Sequence, residues 1–136
     1  MNDAFAFEEA AIGILTAVLY ADGVVADAEL AWWRRVQERH PLFADLPPAS
    51  FDPILARAQQ TLLATPWRDA VTMWAREVPR AHAELVYCLA VELQLVDGDC
   101  AGTESRITAH LSHALRIPPE RSTYLFEAAL VDRLGD

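Results

Sequence analysis

The chain has 136 residues, 53% of them apolar or aromatic and 23% charged, a globular composition with enough length for one folded core. Its formal charge is −9, with 20 acidic side chains against 11 basic ones, every basic one an arginine. That balance leaves no basic stripe for a phosphate backbone, so neither direct nucleic-acid binding nor attraction to an anionic membrane surface is expected; cations, metal ions included, are the natural electrostatic clients.

Residues 4–21 read as a first helix, in which Phe7, Ala11, Ile14, Leu15 and Val18 recur at helical spacing. Asp22-Gly23 ends it, because glycine tolerates the left-handed conformation that closes a helix. A second helix is expected over 27–39 with Leu30, Trp33 and Val36 inward, stopped by Pro41. After Pro47-Pro48, Ser50 is placed to cap a third helix over 51–64. Thr65-Pro66 then reads as the start of a fourth, whose Trp67, Val71, Trp74 and Val78 define a buried face. The fifth, over 80–96, is apolar nearly all round from Leu85 to Leu95, the pattern of a central helix enclosed by others. It ends at Asp97-Gly98. A sixth helix is expected over 103–115, with Ile107, Leu111, Ala114 and Leu115 inward, and a seventh over 119–133 after Pro118. No window alternates in the manner of a strand, so the expected fold is all-α: a compact bundle of about seven helices in one domain spanning 1–136.

The first residues carry no positive region of a signal peptide, and Glu8 and Glu9 stand where its apolar run would be. Leu85–Val96, the most apolar stretch, is interrupted by Glu92 and Gln94 and is too short to span a bilayer, so direct membrane insertion is not expected. Cys88 and Cys100 make no disulfide framework. A cytoplasmic location is the expectation.

One feature rises above composition. Asp22-Gly23 is followed, after five intervening residues, by Glu29, and Asp97-Gly98 likewise by Glu104; each pair follows a strongly apolar helix and precedes an amphipathic one. The chain therefore looks like two copies of a helix-loop-helix unit, at about 4–40 and 80–116. The run Ala17-Val18-Leu19-Tyr20-Ala21-Asp22-Gly23 with Glu29-Leu30 resembles the first signature of the TerB-like family of tellurite-resistance proteins. Leu89 to Glu104, leading to Leu115-Arg116-Ile117-Pro118-Pro119-Glu120, resembles the second. The resemblance covers nearly the whole chain. It implies a compact seven-helix fold, bacterial origin, association with tellurite or other chemical stress, and acidic loop residues considered as metal contacts, and it brings no enzymatic activity. The chain departs from the pattern at Asp99, Cys100 and Gly102 in the second loop, and at Ala26 and Ala101, where a capping side chain would be stronger.

Asp22, Glu29, Asp97, Asp99 and Glu104 are the candidate cation ligands. Asp-Gly followed by Glu six residues after the glycine matches the second half of an EF-hand loop. The first half is missing: Val18 and Tyr20, or Leu93 and Leu95, stand where two more oxygens are needed. The competing reading is structural and is the favoured one: Asp-Gly turns the chain, and Glu in the next first turn complements the helix dipole and bonds back to a backbone amide.

Other chemistry is sparse. His110 and His113 make an HxxH step, read as a surface pair because His113 points away from the apolar stripe. His40 precedes a proline at a helix end, where a cation favours the dipole, and His82 has no evident partner. Cys88 is expected to be an inert buried thiol and Cys100 an exposed one whose acidic neighbours disfavour the thiolate. Trp32, if exposed, marks a partner surface, since aromatic residues are enriched at binding hot spots. No catalytic set and no required cofactor are expected. Together these features point to a non-enzymatic domain acting through a protein partner, with weak divalent-cation binding at the acidic loops as an accessory property; the alternative is a structural module that forms homo-oligomers.

Overall fold

A helix that is apolar on every side has no face to offer to water, so the rest of the chain must surround it. The computed structural model, which describes residues 6–20, 27–96 and 106–135, is organised by that requirement. Among the described residues, seven α-helices make up the bundle: α1 Ala6–Leu19, α2 Asp27–Arg39, α3 Phe51–Ala64, α4 Trp67–Ala75, α5 Ala83–Leu95, α6 Arg106–Ala114 and α7 Pro119–Gly135. Short 3₁₀ turns at Pro41–Phe43, Pro48–Ser50 and Arg80–His82 link some of them, and there is no strand among the described residues. The expected all-α class and its seven helices are what the structure has. No helix among the described residues is long and apolar enough to cross a membrane.

Two helices form the centre. All ten residues from Ala10 to Leu19 of α1 are buried, against α3, α4 and α5 on three sides and α6 beyond. The enclosed position expected for α5 is thus shared with α1, and α1 occupies it more fully. Helix α5 keeps one face open, where Leu85 and Glu92 are exposed and Cys88 is half-buried. Charge makes the difference: after Glu9, α1 carries no ionisable side chain, whereas Glu84 and Glu92 hold one edge of α5 in water.

Gly13 sets the distance between α1 and α4. A Cβ built on it would stand 2.5 Å from Cδ2 and 2.8 Å from Cζ2 of the Trp74 indole. The ring lies directly on the α1 backbone, which explains a glycine where helix propensity alone disfavours one by about 1 kcal/mol relative to alanine. It also corrects the fourth-helix face. Ala70, Val71 and Ala75 are its buried residues, while Trp67, Trp74 and Val78 are only partly buried, because small side chains face the core and the large rings spread across its edge.

Helix ends also depart from the expectations. Ser50 belongs to a 3₁₀ turn and makes no side-chain cap. Thr65 closes α3, its N–H donating to Thr61 O at 2.8 Å, while the N-cap of α4 is Pro66, one residue later, with no side-chain cap. Helix α6 ends in a Schellman arrangement. Ile117 N–H donates to Ser112 O and Arg116 N–H to His113 O, both at 3.0 Å, with Arg116 at φ 62° in the left-handed region that favours glycine. Pro118 then prevents continuation. In α2, Leu30 is 39% exposed and Glu29 only 5%, the reverse of the expected inward Leu30. The inward stripe instead begins at Glu29 and continues through Trp32, Trp33 and Val36.

Polar links between helices are few. Thr108 donates to Gln94 Oε1 at 2.7 Å, tying α6 to α5. On the surface, Arg121 of α7 grips Glu84 of α5 with both Nε and Nη2, at 3.0 and 2.9 Å, which holds the Glu84 carboxyl below the usual carboxylate range. Arg57 and Glu9 pair across α3 and α1 in an exposed setting, where such pairs contribute little. Cohesion therefore comes from apolar packing. Gly13→Ala is expected to lower unfolding stability by roughly 1–3 kcal/mol in denaturant titration, the usual cost of overpacking, despite its gain in helix propensity. An unchanged or higher midpoint would show that the indole moves aside freely.

Candidate functional site

The open edge of α5 becomes the floor of a groove between α2 and α7, with a volume of about 750 Å³. Each helix contributes a stripe at helical spacing. From α2 come Ala28, Ala31, Trp32 and Arg35; from α5 Cys88, Glu92 and Leu95, with Val96 beyond its end; and from α7 Leu125, Ala128, Ala129 and Asp132. The walls are short side chains. Ala28 and Ala31 stand opposite Ala128 and Ala129, so α2 and α7 rest on α5 without their side chains filling the space between them. The volume lies within the range of binding clefts.

Trp32 is 6% exposed, stacked against Trp33 with ring centroids 6.4 Å apart. This corrects the expectation that it marks a partner surface by standing out in solvent. The indole is buried among the inward residues Glu29, Trp33 and Val36 of α2, and it also contributes to the groove lining.

Three charged groups line the groove: Arg35 on α2, Glu92 on α5 and Asp132 on α7. None of the three makes an ion pair among the described residues. Cys88 lies between them, half-buried rather than fully enclosed as expected. Burial pushes its thiol pKa up, and the Glu84 and Glu92 carboxylates push it further, against a smaller opposing pull from Arg121. The thiol is therefore protonated at neutral pH and is a poor nucleophile. Among the described residues, no hydroxyl, imidazole or amide side chain lines the groove.

Of the candidate cation ligands, Asp22, Asp97, Asp99 and Glu104 lie outside the described residues, as does Cys100. Glu29 is the one described member, buried at the third position of α2 and engaged rather than free. That position suits the expected first-turn role.

The histidines occupy sites with specific partners. His110 is half-buried and held by partners on α4. Its Nε2 lies 2.8 Å from Thr72 Oγ1 and 3.1 Å from Arg68 O, and its ring meets Trp67 edge-on with centroids 5.5 Å apart. Thr72 Oγ1 also donates to Arg68 O at 2.8 Å, and the tautomer protonated on Nε2 satisfies both contacts of the ring. His110 is thus a strut between α6 and α4, while His113 is exposed and takes no part. His82 does have a partner: its ring stacks on Phe7, centroids 4.8 Å apart. His40 accepts a hydrogen bond on Nδ1 from Leu42 N–H at 3.1 Å and so caps the following 3₁₀ turn, rather than facing the preceding helix as a cation.

The groove has no local signature in the sequence. Its alanines read as ordinary helix formers, and nothing near residue 30 signals that residue 130 lies opposite. The one available clue was the pair Cys88 and Glu92, which breaks the apolar periphery of α5 at i, i+4. No family model, no curated protein and no solved structure matches the chain.

The raised thiol pKa has a measurable consequence. In a Cys100→Ser background, alkylation of Cys88 by iodoacetamide at pH 8 should be several-fold slower than that of a free thiol. Glu92→Gln should accelerate it by removing one of the carboxylates that disfavour the thiolate. A Cys88 that reacts at the free-thiol rate would contradict this description of the groove floor.

Proposed function

We propose that the chain is a non-enzymatic domain that acts by binding a protein partner in the α2–α5–α7 groove, within a bacterial chemical-stress system of the tellurite-resistance kind that the TerB-like resemblance implies. The observation that carries the partner-binding part is the groove itself. Three helices converge on a cleft with alanines on its walls, apolar surface from Trp32, Leu95 and Leu125, and charged groups that make no ion pair among the described residues. Apolar surface bordered by charged groups is the general form of an interface patch. The same lining supplies no nucleophile with a matched base, which favours binding over catalysis. The stress setting rests on the resemblance alone. Weak divalent-cation binding at the Asp22 and Asp97 loops is an accessory part of the same reading, motivated by the acidic charge and the repeated Asp-Gly pattern.

A second reading, self-association, draws on Tyr124 and Val131, 60% and 67% exposed on the outer side of α7. Sedimentation over a range of concentrations separates it from the first, because a monomer throughout removes it.

Groove-filling substitutions test the main proposal. Ala31→Phe and Ala128→Phe place bulk where the structure has space, so the melting temperature should hold or rise slightly. A partner recovered from the native cell with the wild-type chain should be lost with both variants. Retention of that partner by a folded double variant would remove the groove from the proposal.

A further inference from the structure

The groove's three charges are distributed unequally, and we infer from this that its occupant is an amphipathic helix with an acidic border and a basic border flanking its apolar stripe. This rests on the proposal that the groove is the docking site and goes further by naming the partner's chemistry. The stripes that line the groove run from Ala28 to Arg35 on α2 and from Leu125 to Asp132 on α7. Seven residues of helical rise is about 10 Å, so the walls match roughly two turns of a partner helix presenting anchors at i, i+3 or i+4, and i+7. An extended segment would need backbone groups to pair with. Helical walls offer none, because their N–H and C=O groups are already bonded within each helix.

The borders follow from sign and position. On the α2 wall the lining charge is the cation Arg35; on the floor and the α7 wall the lining charges are the anions Glu92 and Asp132. With no ion-pair partners among the described residues, all three can meet charges on an incoming surface. A helix whose borders are both basic would set one row against Arg35. A helix whose borders are both acidic would set one row against Glu92 and Asp132. Split borders satisfy both walls, and they fix the direction in which the helix lies, since reversing it exchanges the borders.

Three 14-residue capped peptides test this on the full chain, by isothermal titration at low ionic strength. They share one Leu/Ala stripe without aromatic residues and differ only at the borders: Glu on one side and Lys on the other, Lys on both, or Glu on both. The split-border peptide should bind at least about threefold more tightly than either uniform one, an advantage of the size that exposed ion pairs supply, and the advantage should fade at about 1 M salt. Arg35→Glu should transfer the preference to the all-Lys peptide. Equal affinities for the three peptides, or a ranking unmoved by Arg35→Glu, would overturn the inference about the borders. If Ala31→Phe/Ala128→Phe then still abolishes binding, the groove survives as the docking site. Binding by none of the peptides, or binding that persists in the filled variant, would overturn both. Sedimentation showing that the chain dimerises and that the filled variant is a monomer would identify the occupant as a second copy and overturn the inference as well.

Discussion

Helix α1 cannot face water anywhere along Ala10–Leu19, and the bundle is a solution to that constraint. Burying ten consecutive residues requires neighbours on every side, and at about 25 cal/mol per Å² of apolar surface removed from water the driving force is large enough to dictate the arrangement of α3, α4 and α5 around it. Close approach is part of the solution. Gly13 allows the Trp74 indole to lie on the α1 backbone, and the 3₁₀ turn at Arg80–His82 brings the His82 ring onto Phe7 at the other end of the helix. Surface ion pairs and capping hydrogen bonds refine this arrangement without determining it.

Because α1 takes the fully enclosed position, α5 is left with an edge that is not covered. Helices α2 and α7 pack on α5 from either side, and both turn alanines toward the gap between them. The groove is therefore a by-product of where the largest apolar surface is satisfied, and its character follows from what α5 carries on that edge. Cys88 and Glu92 make the floor mixed rather than purely apolar, and burial, reinforced by the nearby carboxylates, pushes the thiol pKa up.

Much of the architecture was legible from periodicity and punctuation. Pro41, the Thr65-Pro66 junction and Pro118-Pro119 bound helices as their fixed φ and missing N–H dictate, and the start of α2 at Asp27 follows from its amphipathic pattern. Which residue caps which helix was less legible. Thr65 lies between two helices separated by a single further residue and serves the one that precedes it. Inward and outward assignments failed where tertiary context outweighed hydrophobicity. Leu30 points to water while Glu29 is buried at the start of α2, and His110 is drawn into the α4–α6 seam by Thr72 and the Arg68 carbonyl. The groove was not legible at all, since it joins residues about a hundred positions apart whose only shared property is a small side chain. The acidic loops that carried the sequence argument for cation binding lie outside the described residues, apart from Glu29.

The central claim is a hierarchy in which α1 is the last element to open and the groove walls α2 and α7 are among the first. Native-state amide hydrogen exchange measures this directly, because each amide reports the free energy of the opening that exposes it. The account predicts that amides of Ile14–Leu19 exchange only through global unfolding, with free energies equal to the denaturant-derived stability. Amides of α2 and α7 should exchange through smaller openings at lower cost. Exchange of the α1 amides at a free energy below that of α2 or α7 would contradict it.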